Sequence, residues 1–148
     1  LIEGILNVVD TLTANNLIVS KVADFFGNVV FHGDVVFQGR PTFNKDTAGV
    51  ALIKKGEDKV EVKFDKEYDQ APVISANMVI DQITKTPEQS EEDQQNAQKD
   101  LENKMFESSI KYVITRRTQK GFTILLNKPL DEDATFSWTA LSVEKDSH

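Results

Sequence analysis

The chain has 148 residues, enough for one compact domain with an appendage. Its net charge of −7 and pI of about 4.8 remove nucleic acid and anionic lipid as expected partners, because an acidic chain gains nothing from displacing phosphate counterions. There is no cysteine, hence no disulfide, thiolate metal site or thiol nucleophile, and no apolar run approaches the roughly 18 residues of a membrane span. The sequence starts at Leu1 rather than Met, which reads as a fragment or the mature C-terminal part of something longer.

Residues 1–26 carry an apolar stripe without a local partner. Ile2, Ile5, Val9 and Leu12 follow 3-4-3 spacing, as on a helical seam, and predict a short helix near residues 1–10. Leu17-Ile18-Val19, after the turn residues Asn15-Asn16, reads instead as a β-strand. Residues 27–44 then repeat with period six as GNVVFH, GDVVFQ, GRPTFN, with Gly27, Gly33 and Gly39 in phase. Six is even, so in an extended chain every repeat shows the same face. That face carries Val29, Phe31, Val35, Phe37 and Phe43. The segment is too short to bury them alone, and wrapping around two identical chains would do so. The expectation is a trimeric β-stalk over residues 1–46 with those five residues as its core; the alternative is a pair of ordinary hairpins packed on the following domain.

From about residue 47 the pattern is that of a globular β domain. Ala48–Ile53 is a short apolar strand, followed by a turn at Gly56-Glu57-Asp58. Lys59–Phe64 alternates, with Val60, Val62 and Phe64 inward. Ala71–Ile80 is largely apolar after Pro72. Ile110, Tyr112 and Ile114 share one face, Lys120-Gly121 is a turn, and Phe122, Ile124 and Leu126 alternate. The last strand holds Phe136, Trp138 and Ala140 in phase. The fold class is therefore mainly β, a six-stranded antiparallel sandwich over residues 47–148. Residues 81–109 break the rhythm with Gln, Glu, Asp, Asn and Lys. Thr86-Pro87 suits an N-cap and first helical position, and Ala97, Leu101 and Met105 form one stripe, predicting a solvated helix near 88–105. Disorder is the competing reading of this insert.

The runs VEVKFDKEYDQAPVISANMVID and IKYVITRRTQKGFTILLNKPLDEDATFSWTALSV resemble the H-type lectin domain. The matching positions are Phe64, Pro72, Val73, Asp81, Gly121-Phe122 and Trp138-Thr139-Ala140, within residues 59–143. The resemblance implies a six-stranded sandwich that trimerises in parallel, in sugar-binding lectins or at the tips of phage and bacterial surface fibres. The family's sugar-binding Arg would fall near Ser109. The loop after Phe122, LLNKPLDED, lacks the family's aromatic-His pair, so that sugar site is not carried over.

No catalytic constellation emerges, and an enzyme is not expected. The only histidines are His32, in the repeat, and His148, at the terminus, so no Ser-His-Asp set can form in the β domain. No cofactor is expected. Three copies of His32 around a trimer axis would suit a metal, but an exposed polar position is the plainer reading. Asp131-Glu132-Asp133 reads as a solvated turn, with a weak Ca²⁺ loop as the minority reading. Arg116, Arg117 and Lys120 form a basic turn in an acidic protein. Together with Asp131 and Asp133 they are the candidate ligand-binding residues. The expected function is trimeric attachment at a fibre tip, on a virion or extracellular surface, toward a cell-surface glycan or protein receptor; the alternative is a lectin with a displaced sugar site.

Overall fold

The computed structural model describes residues 4–144. The chain divides into two units, Leu1–Arg40 and Pro41–His148. We refer to them as the arm and the head.

The arm, over its described residues 4–40, contains no helix and no strand. The short helix expected near residues 1–10 is therefore not formed over residues 4–10, and Ile2 lies outside the described residues. Among the described residues, neither Leu17-Ile18-Val19 nor the hexads form a strand. The physical reason is local: a strand without a ladder leaves its amides to water, and a one-sided helix this short is marginal. Phe31, Phe37 and Phe43 stand 64–67% exposed, and Val29 and Val35 are exposed as well.

The head has element order β1 (Ala48–Ile53), β2 (Lys59–Lys63), β3 (Val73–Val79), α1 (Glu91–Glu107), β4 (Tyr112–Thr118), β5 (Gly121–Leu126) and β6 (Ala134–Leu141). Two three-stranded antiparallel sheets, β1-β6-β3 and β2-β5-β4, face each other. Period-2 alternation explains the core. Ala51 and Ile53, Phe122, Ile124 and Leu126, and Ala134, Phe136, Trp138 and Ala140 all point between the sheets and are buried. Aromatic rings lock the layers: Phe122 meets Trp138 edge-on at 5.4 Å, and Tyr112 meets Phe136 at 5.0 Å. Gly49 lies opposite Trp138 in the β1–β6 register. A Cβ there would come within 2.7 Å of the indole, so glycine lets the ring lie across the strand.

The outer faces of the two sheets differ. On β1-β6-β3 the register sets Leu52, Thr135 and Val79 in one row, then Val50, Ser137 and Asn77, then Ala48, Thr139 and Ser75, then Leu141 and Val73. None of these is charged, in a chain with 28% charged residues. Val50 is 71% exposed, and Leu52, Val73 and Leu141 are exposed too. On β2-β5-β4 the outward positions include Lys59, Glu61 and Lys63.

The insert is a helix, later than expected at both ends. Ser90, not Thr86, is the N-cap: its hydroxyl accepts from Asp93 N, and the Asp93 carboxylate accepts from Ser90 N, closing a capping box. Thr86 instead closes a turn with Gln89. Ala97, Leu101 and Met105 are half-buried, and Met105 packs against the head core.

Candidate functional site

The predicted ligand-binding residues separate into two places. Asp131 and Asp133 lie by the β1–β2 turn, near one end of β2. Asp133 accepts from Lys55 N at 2.8 Å, capping that turn, and Glu132 pairs with Lys104 at 3.5 Å. Asp131 lines a cleft of about 440 Å³ against the last turn of α1, beside Met105 and Lys128. Among the described residues no three His, Asp or Glu side chains converge as metal ligands. His32 is exposed, and His148 lies outside the described residues.

Arg116, Arg117 and Lys120 lie at the other end of β2, and a bulge decides where each points. The β4–β5 register runs to Thr115↔Thr123 and resumes at Thr118↔Gly121, so two residues of β4 face one of β5. Without the bulge, the alternation that buries Tyr112 and Ile114 would drive Arg116 into the core. Arg116 instead takes φ +50 and stays exposed. Arg117 turns away, and its Nη1 donates to Pro72 O at 2.9 Å, tying β4 to the start of β3. Of the predicted basic residues, Arg117 is thus an exposed brace on Pro72 and does not line the groove that Arg116 and Lys120 share.

Arg116 and Lys120 are joined by Lys63, which sequence reasoning did not single out. The register Lys63↔Gly121 brings it alongside. The three cations line a groove of about 230 Å³ with Glu61 and Thr118. Gly121 is required at its floor, since a Cβ there would strike Val62 O at 2.1 Å. The hairpin tip is held from behind. Phe64 N donates to Lys120 O at 2.9 Å, and Tyr68 N donates to Gln119 O at 3.0 Å. Glu61 is within 3.9 Å of Lys59, on the same strand. Among the described residues, Lys63, Arg116 and Lys120 have no ion-pair partner.

Near this end the chain enters the head through a tied segment. Asn44 Oδ1 accepts from Asp46 N and from both the amide and hydroxyl of Thr47. Asp46 accepts from Asp65 N at 2.7 Å and Lys66 N at 3.0 Å. These two backbone donors hold the Asp46 carboxyl below the usual aspartate range. Lys45 forms an ion pair with Asp65, which raises its pKa.

The insert offers a third concavity. Ile83 N donates to Gln98 Oε1 at 2.8 Å, and Gln94 Nε2 donates back to Ile83 O, so two glutamines hold residues 81–83 along the helix. Gln82, Lys85, Gln95, Lys99 and Glu102 line the resulting cleft of about 440 Å³. No protein-family model, curated protein or solved structure matches this chain.

Proposed function

We propose that the chain is a trimerisation and attachment module at the tip of an extracellular or virion fibre, with a head of the H-type lectin kind. The observation that carries this reading is the arm. Its apolar side chains, from Ile5 to Phe37, are exposed in the single chain, beside a head that closes its own core. So many exposed apolar side chains call for a partner, and the in-phase Gly and Phe hexads suit identical copies best, with Val29, Phe31, Val35, Phe37 and Phe43 as the shared core. The uncharged outer face of β1-β6-β3 supports the same reading. Copies of a chain with net charge −7 repel one another, and this is a sheet face across which no carboxylate opposes approach.

The absence of cysteine makes a direct test available. Ser137→Cys places a thiol in the middle of the uncharged face, and Glu61→Cys places one on the opposite sheet. Under mild oxidation Ser137→Cys yields covalent dimers and Glu61→Cys does not. Equal cross-linking of both, or of neither, contradicts assembly through this face.

The second reading is a carbohydrate-binding lectin with its site away from the loop after Phe122. The amide-lined cleft of Gln82, Gln94, Gln95 and Gln98 favours it, because an amide both donates to and accepts from a hydroxyl. A neutral-glycan hit at millimolar affinity or better, lost with the insert, would support this reading over simple attachment.

A further inference from the structure

Lys63, Arg116 and Lys120 make an unusual group in this molecule. The chain has 24 acidic and 17 basic residues, yet these three cations share one groove with a single carboxylate, Glu61, which pairs with Lys59, and none of the three is ion-paired among the described residues. The three like charges repel one another, and the groove's one carboxylate, Glu61, is paired with Lys59, so an added anion relieves that repulsion. Arg116 adds a second cost, since its φ of +50 is left-handed backbone, which is unfavourable at a non-glycine residue. A glycine at the bulge would remove that cost and keep the fold. The hairpin tip is also rigid, through the Phe64–Lys120 and Tyr68–Gln119 backbone hydrogen bonds. Strain, unpaired charge and a fixed scaffold in one place are the attributes of a binding site.

We infer that this groove binds one oxyanion, the carboxylate or sulfate of an acidic saccharide, with Arg116 as its forked donor and Lys63 and Lys120 flanking. The size fits a single charged group. At about 230 Å³ the groove is smaller than the roughly 300–1,000 Å³ of pockets that enclose a whole small ligand. The surroundings select against densely charged polymers. Each further phosphate of a nucleic acid or an anionic bilayer would add repulsion from a chain of net charge −7. An isolated anion on an otherwise neutral, hydroxyl-rich scaffold avoids that penalty. The inference rests on the attachment reading, for which it names the receptor chemistry; in a trimer the three grooves would add avidity.

The test is titration of the full chain with 3′-sulfated lactose, followed through the backbone amide resonances. The sulfated sugar shifts Lys63, Thr118, Lys120 and Gly121, whereas lactose leaves them in place. Lys63→Glu and Arg116→Glu each weaken binding about tenfold or more, as expected for loss of a charge-assisted contact. Arg116→Gly separates binding from folding: it leaves the melting temperature unchanged or higher while the affinity falls. Shifts confined to the insert, equal binding of lactose, or undiminished binding by Arg116→Gly would overturn the site. Inorganic sulfate or a phosphoserine peptide binding as tightly as the sulfated sugar would overturn the saccharide assignment. A trimer with a silent groove refutes this inference alone; a monomer whose groove binds refutes the trimer reading and leaves the groove.

Discussion

Phe37 and Phe136 are the same side chain in opposite circumstances. Phe136 sits between two sheets with no exposure, edge-on to Tyr112, while Phe37 stands 67% exposed in the arm. The difference lies in what the chain supplies around each. In the head, six strands of alternating pattern bring a second apolar face opposite the first. In the arm, the hexads repeat one face and provide nothing opposite it. Burial of an apolar face requires a partner surface, and copies of the same hexads are the partner proposed above.

The largest expected effect follows from the arm. Phe37→Asp sets one carboxylate per chain inside the proposed shared core, where unpaired charge is costly. The mass in solution should fall to that of one chain while the head keeps its near-ultraviolet circular dichroism. An unchanged mass would show that this face is not shared. In the head, Phe136→Ala should cost about 3–5 kcal/mol, the range for a buried phenylalanine, read as a lower denaturant midpoint. Gly49→Ala should cost about 1–3 kcal/mol, because the Trp138 ring must move off β1. Its indole fluorescence should shift with the ring.

Replacing residues 84–107 by a short Gly-Ser linker should have a smaller effect. Met105 is the insert's main contact with the core, and losing its half-buried side chain costs about 1 kcal/mol. Loss of the proposed trimer would instead make the insert a clasp between subunits. The smallest effect is electrostatic. Asp46 has a lowered pKa in the folded head, so its contribution is complete above the ordinary aspartate value and drains away as pH falls through the folded one. Asp46→Asn should therefore flatten the acid limb of the melting-temperature profile below about pH 4.

The head was legible wherever period 2 was unbroken. Ala48–Ile53 coincides with β1, and the alternation of Phe122, Ile124 and Leu126 and of Phe136, Trp138 and Ala140 marks the buried faces. The candidate groove was only half legible. Arg116 and Lys120 are neighbours in sequence, but Lys63 arrives through a pairing 58 residues away, Lys63↔Gly121, and no local pattern announces it. Nor does a pattern announce the bulge that turns Arg116 outward and Arg117 toward Pro72. The helix cap, by contrast, was signalled: Ser90-x-x-Asp93 is a capping box, and it outcompetes Thr86-Pro87 because its two hydrogen bonds are reciprocal. In the arm, spacing described a face but could not say whether one chain can cover it.

Sedimentation equilibrium of the full chain at micromolar concentration tests the central claim most directly. A subunit of 16.6 kDa assembled threefold gives a species near 50 kDa, stable to dilution and reduced to one chain by Phe37→Asp. A wild-type species of 16.6 kDa would contradict the trimeric arm and the fibre-tip reading built on it.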